Sequence, residues 1–199
     1  MKKILTVALI ASTIAMGACG QKDPGLKDAY KNYFKIGVAV TPRNVTDSLQ
    51  KAVILKEFNS ITAENDMKPG SVHPQEGVWN WKNADAIANF CRQNGIKLRG
   101  HCLVWHSQFC DWMFTDKDGK EVSKEVFYER LREHIHTVVN RYKDVVYAWD
   151  VVNEAMADDG RPFEFVDGKM VPASPYRQSR HFKLCGDEFI AKAFQFARE

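Results

Sequence analysis

The stretch 145–156, "VVYAWDVVNEAM", decides the fold. From Val145 to Val152 it is β-branched, aromatic and apolar apart from Asp150. That is the pattern of a strand covered on both faces, as in a parallel sheet. It then stops at Asn153 and Glu154, an amide beside a carboxylate. Polar residues at a strand end are ordinary where the strand meets water. The alternative is that the strand is a stave and Glu154 a tool held at its tip.

Working outward from that stretch, strands and helices alternate. "YFKIGVAV" (33–40) is a first strand, and "VTDSLQKAVILKEFN" (45–59) follows with Leu49, Ala52 and Val53 at helical spacing. "SITAEND" (60–66) is a second strand, leading to a loop with Pro69, Gly70 and Pro74. "NADAIANFCRQNG" (83–95) places Ile87, Phe90 and Cys91 on one helical face, with Asn83 as N-cap and Gly95 as the stop. "IKLRGHCLVW" (96–105) is the third strand. From Ser123, the residues Phe127, Leu131, Ile135, Val138, Val139 and Tyr142 recur at three- and four-residue steps, a long amphipathic helix. The quoted stretch is strand four. A loop of about thirty residues precedes "GDEFIAKAFQFARE" (186–199), with Phe189, Ile190, Ala193, Phe194 and Ala197 as its stripe.

Four βα repeats imply parallel strands joined by right-handed crossovers. Both an open doubly wound sheet and a (β/α)8 barrel begin this way. The first crossover has no G-x-G-x-x-G or P-loop glycines, which argues against a nucleotide cofactor. The placement of polar residues favours the α/β TIM barrel, of which this chain covers the first four βα units. Glu64, Asn65 and Lys68 follow strand two, His101, Trp105 and His106 lie in or after strand three, and Asn153 and Glu154 end strand four. Barrel strand C-termini converge on one face, where chemistry is done.

Composition is that of one ordinary globular domain, 45% hydrophobic and 27% charged over 199 residues. Residues 1–19 are different: "MKK", an apolar run, then "MGAC" read as a lipoprotein-type signal in which Cys19 is lipidated, followed by a short tether over 20–30. The plainer reading is ordinary secretory cleavage near a chance cysteine. Lys2 and Lys3 leave with the leader, so the formal charge of +3 falls towards neutrality and no nucleic-acid or anionic-membrane partner is implied. The expected location is exported and membrane-anchored through Cys19. Cys91, Cys102, Cys110 and Cys185 have no metal-type spacing. Cys91 and Cys102 read as buried thiols, while a Cys110–Cys185 disulfide stays open.

No serine or cysteine sits beside a histidine in a nucleophile elbow, so acyl transfer is disfavoured. His101 and His106 as a metal pair would point to opposite faces of a strand; no metal and no cofactor is expected. A polar cleft with an indole and carboxylates suits carbohydrate, whose hydroxyls meet Asn, Lys and His and whose ring faces meet Trp. Glycoside hydrolysis needs a proton donor at the leaving oxygen, and partial burial at the end of an apolar strand would equip Glu154 for that.

At this point the motifs resemble a known family. "AWDVVNEAM" is similar to the acid/base strand of the family 10 glycoside hydrolases, the endo-β-1,4-xylanases, "GHCLVWHSQ" to their third-strand motif and "ITAENDMK" to their second. The resemblance runs from about Tyr33 to Glu199. It implies retaining hydrolysis of internal β-1,4 bonds in xylan, with Glu154 as general acid/base and Asn153 binding the 2-hydroxyl of the sugar under attack. Glu64, Asn65 and Lys68 grip sugars on the non-reducing side, while His101, Trp105 and Gln108 wall the reactive subsite. The chain departs from the family in Ala63 before Glu64 and in "MKPGSVHP" after it. The family's nucleophile lies in a T-E-L-D-like motif on a later strand, and no "TELD" occurs here. Residues 31–199 therefore read as the N-terminal half of a catalytic barrel. The other readings are a non-catalytic glycan-binding lipoprotein and a related hydrolase of another β-1,4-glycan.

The loop 158–185 is expected at the catalytic rim with Phe163, Phe165, Tyr176 and His181, and Tyr176 is the candidate for stacking a sugar. Half a barrel leaves two strand edges unpaired and apolar residues without an opposite wall. Residues 20–199 alone are accordingly expected to be inactive on xylan and molten or oligomeric. A sharp monomeric unfolding transition together with xylan hydrolysis by that segment would overturn the expectation.

Overall fold

The computed structural model describes residues 23–158 and 160–199; the leader and the proposed lipidation site Cys19 lie outside the described residues. A short helix α1 (Leu26–Ala29) precedes β1 (Gly37–Val40), α2 (Pro42–Thr46), α3 (Ser48–Glu57) and β2 (Ser60–Ala63). Then come α4 (Pro69–Val72), α5 (Lys82–Asn94), β3 (Lys97–Trp105), α6 (Lys124–Tyr142) and β4 (Val146–Asn153). A hairpin of β5 (Phe163–Val166) and β6 (Lys169–Pro172) leads to α7 (Arg180–Cys185) and α8 (Glu188–Arg198).

The four long-range strands form one parallel sheet in the order β1-β2-β3-β4. Parallel pairing points every strand the same way, so Ala63, Trp105 and Asn153 all end at one rim. Between them run Ile61, Leu98, Leu103 and Val104, none of them exposed. Each such side chain contributes roughly 1.5–3 kcal/mol on burial. Gly100 sits opposite Trp149 on β4, and a Cβ there would lie 2.1 Å from the indole ring, so only glycine lets Trp149 lie across β3.

Helix α6 behaves as its periodicity implies. Ser123 Oγ accepts from the Val126 amide, and Phe127, Leu131, Ile135, Val138 and Tyr142 are fully buried. Gly95 closes α5 in the left-handed conformation at φ +64°. Other expectations need correction. Tyr33 and Phe34 are exposed and precede β1, Tyr30 stacking on Phe34 at 5.2 Å, because the turn after α1 occupies the chain there. The first helix is broken at Asp47, whose carboxylate caps α3 by accepting from the Leu49 and Gln50 amides. Leu49 and Val53 are 78% and 55% exposed and, with Val38 and Val40 of the edge strand β1, line an open cavity of about 490 Å³, while Ile54 on the same helix is buried. Asn83 does not cap α5, which starts at Lys82; its amide donates to Asp66 Oδ1 at 2.9 Å. In α8, Phe196 is buried and Phe194 is half-exposed. The loop after β4 is structured by the β5–β6 hairpin and by α7. All four described cysteines are free and buried, so Cys110 and Cys185 form no disulfide. Burial pushes the thiols of Cys91 and Cys102 up to about 12 and that of Cys110 to about 11.

Under α6 lies a buried aromatic stack. His73 lies on Trp79 with ring centres 3.6 Å apart, Trp79 on Trp81 at 4.8 Å, and His73 Nδ1 is 3.3 Å from His134 Nδ1. Both histidines are completely buried. One neutral ring donates and the other accepts, an arrangement that two charged rings cannot make. Burial lowers His73 from 6.5 to about 4 and His134 from 6.5 to about 3, the latter also through repulsion from a charged His73.

Between pH 6.5 and 4 the unfolded chain therefore takes up protons that these rings refuse when folded. Stability falls as pH falls through that window, by about 1.4 kcal/mol per pH unit for each histidine once below its unfolded value. His134→Gln in the full-length protein should remove about one proton from that dependence. Urea midpoints measured across the window check this; an unchanged slope would contradict it.

Candidate active site

The rim is assembled from the ends of β2, β3 and β4. Trp105 and Asn153 are register partners at the last rung between β3 and β4, so Glu154 emerges next to the indole. Trp105 Nε1 donates to Glu154 Oε2 at 2.9 Å, and His106 Nδ1 stands 3.7 Å from the same oxygen. Glu154 takes φ +51°, a left-handed conformation that swings its side chain away from the strand line. Its side chain is 47% exposed, so the burial expected from the sequence is not provided by the described residues. What surrounds the carboxyl group instead is a set of N–H donors.

Lys68 is not a solvated loop charge: it is 7% exposed. Its Nζ donates to Asn65 Oδ1 at 2.8 Å and lies 4.5 Å from the centre of the Trp105 ring, a hydrogen bond and a cation–π contact together. Gln108, at φ +48°, brings Nε2 to 3.5 Å from Asn65 Oδ1. Its carbonyl accepts from the Gly70 amide at 2.8 Å, and a Cβ at residue 70 would meet that same oxygen at 2.8 Å. The loops after β2 and β3 are thus locked together by backbone contact. Glu64 is exposed at the end of β2, with its amide bonded to the Val40 carbonyl.

His101 lies one layer below. Its Nδ1 is 3.0 Å from Asp150 Oδ2, and Asp150 also accepts a forked pair of bonds from Arg99. Burial works against the Asp150 carboxylate, but the Arg99 and His101 hydrogen bonds outweigh it and hold the group below the usual carboxylate range. A charged Asp150 fixes the imidazole so that Nε2 is left for a ligand. Sequence reading did not single out Asp150. The signal was available as one acidic residue inside an otherwise apolar strand. His101 and His106 have different partners, and no group of three or more His, Cys, Asp or Glu suited to a metal occurs among the described residues.

The segment after β4 returns to the rim. Met156 bridges Tyr176, and the Tyr176 ring stacks on Phe182 at 5.5 Å, leaving its other face towards a cavity of about 390 Å³ lined with Asp158, Arg161, Glu164 and Arg177. Phe163 and Phe165 stand exposed on the hairpin. His181 departs from expectation. It is 2% exposed, packed among Phe109, Phe114, Phe127 and Phe189, and burial lowers it to about 3. Its position on the first turn of α7 turns it into the core, where it shares a small cavity with the rim residues Trp105, His106, Asn153 and Glu154.

A parallel βα sheet whose strand ends carry carboxyl groups, amides, an ammonium group, an imidazole and an indole has the layout in which (β/α)8 barrels place their chemistry. The family model described as Glycosyl hydrolase family 10 matches residues 25–199. A protein of Xylanibacter ruminicola named endo-1,4-beta-xylanase/feruloyl esterase is 73% identical over 100% of this chain and 28% of its own length. Endo-1,4-beta-xylanase A of Caldicellulosiruptor saccharolyticus is 47% identical over 87% of this chain and 47% of its own. A solved psychrophilic family 10 endo-beta-1,4-xylanase superposes with a TM-score of 0.80 at 55% identity, covering 88% of this chain and 51% of that one. The chain belongs to glycosyl hydrolase family 10, and its sheet is four βα units of the (β/α)8 barrel. It spans between 28% and 51% of the length of these relatives.

Proposed function

We propose that this chain is the acid/base-bearing part of a retaining endo-1,4-β-xylanase. The observation that carries the reading is the bond from Trp105 Nε1 to Glu154 Oε2. An oxygen that accepts an N–H bond is the one without the proton, so the acid proton resides on Oε1 and faces the leaving oxygen of the scissile bond. In the retaining mechanism a second carboxylate about 5–5.5 Å away attacks the anomeric carbon while this proton is delivered. Glu154 then takes a proton from the water that releases the sugar. The second carboxylate is expected on a later strand.

The remaining residues bind. Asn153 faces the sugar 2-hydroxyl, Lys68 and Asn65 offer a buried ammonium and an amide, Glu64 an exposed carboxylate, and Gln108 closes that side. His101, oriented by Asp150, and the Trp105 ring form the wall of the reactive subsite. Tyr176 and the hairpin lie on the leaving-group side. The names of the relatives support xylan rather than another β-1,4-glycan, and comparing rates on xylan, cellulose and mannan tests that choice. Export and anchoring through Cys19 rest on the "MGACG" leader.

Glu154→Ala in the full-length enzyme should remove most activity on xylan, by about 100-fold or more. The loss should be smaller on an aryl xylobioside, whose leaving group needs little protonation, and azide should partly restore turnover. An equal loss on both substrates would argue against the acid role.

Replacing the β5–β6 hairpin with a short turn should change the lengths of products released from long xylan, because aglycone-side contacts set where the chain is cut. An unaltered product distribution would retire the assignment of this loop.

A further inference from the structure

A left-handed backbone at a non-glycine residue is disfavoured unless its surroundings hold it there. Glu154 is such a residue, and what holds it is the returning chain. Arg177 Nε donates to the Glu154 carbonyl oxygen at 3.1 Å, and the Arg177 amide donates to the Ala155 carbonyl at 2.9 Å. The Met156–Tyr176 bridge and the bond from the Ala157 amide to the Pro175 carbonyl at 2.9 Å continue the clamp. The far end of the same guanidinium, Nη2, lies 2.6 Å from Asp158 Oδ2 and 4.0 Å from Glu154 Oε2.

We propose that Arg177 is a positioning residue for Glu154: its guanidinium fixes the backbone of the acid residue and, shared with Asp158, governs the charge beside the acid's carboxyl group. This rests on the reading of Glu154 as the acid/base. An acid catalyst must carry its proton when the glycosidic bond breaks. An unopposed guanidinium at 4.0 Å would favour the carboxylate instead. Asp158 opposes it, so the clamp gains its geometry without a net charge. Among the described residues, the other groups facing the carboxyl are Trp105 Nε1, which is neutral, and His106 Nδ1 at 3.7 Å. The hairpin and its cavity hang between Asp158 and Arg177, so the ion pair also staples that loop to the acid.

The test uses the full-length enzyme with three variants, each assayed on xylan and on an aryl xylobioside across pH. Arg177→Gln should lower kcat on xylan by about tenfold, less on the aryl substrate, with KM little changed. It should also move the basic limb of the pH profile upward, since a positive charge beside the carboxyl group is lost. Asp158→Asn, which keeps the clamp and removes the opposing charge, should move that limb the other way. Arg177→Lys should retain the limb and lose rate, because an ammonium cannot span the Glu154 carbonyl and Asp158 together. If Arg177→Gln does not fold, the downward shift in Asp158→Asn carries the test. Equal losses on both substrates with an unmoved limb, or shifts of the same sign in both variants, would overturn the proposal. Glu154→Ala run alongside separates the two readings. Without its leaving-group dependence the acid/base reading fails; with it, and with unmoved limbs, only the role of Arg177 fails.

Discussion

The site depends on the register between β3 and β4. From Leu98 to Arg99 on β3 the partner strand advances from Val146 to Ala148, and from His101 to Val104 it advances only from Asp150 to Val152. One extra residue in β4 is thus answered by one extra residue in β3. The first irregularity brings His101 opposite Asp150, and the second restores the original offset so that Trp105 lies opposite Asn153, the pairs from which the rim is built. Bulges of this kind re-aim side chains, and they are common beside active sites. An uncompensated slip of one residue would send alternating side chains to the wrong face of the sheet, and Glu154 would lose the indole that orders its two oxygens.

Chemistry at the rim is then settled by which groups are dry. Lys68 is charged and buried, and it is tolerable there because Asn65 and the face of Trp105 replace water around it. Asp150 is half-buried and retains its charge through Arg99 and His101. Glu154, by contrast, is half-open and ringed by donors. Lys68 and Asp150 are thus enclosed by fixed partners, while the Glu154 carboxyl group is left reachable.

Much of this was legible before any coordinates. The strand–helix alternation and the polar residues at strand ends are local signals, and the stripe Phe127–Leu131–Ile135–Val138–Tyr142 is an unambiguous helical period. What failed did so for identifiable reasons. Leu49 and Val53 fit a helical stripe, yet they stand open beside the edge strand β1, in a cavity shared with Val38 and Val40. Asn83 looks like a cap, yet its amide is engaged across the chain by Asp66. His181 in a polar loop looks exposed until α7 turns it among phenylalanines. Arg177 meets the Glu154 carbonyl from 23 residues away, and no window of neighbours reveals such a pairing.

The four buried thiols have a use of their own. A thiol reacts as thiolate, and these four are covered and raised by burial, so the described residues present almost no nucleophilic sulfur. They are spread through the described residues: Cys91 on the buried face of α5, Cys102 in β3 beneath the site, Cys110 hydrogen-bonded to the His73 carbonyl, and Cys185 at the end of α7. Each therefore becomes a clock for its own neighbourhood. The rate at which an alkylating reagent reaches a given cysteine measures how often that part of the barrel breathes open, so the order of labelling would map local stability from the rim to the core without any engineered probe.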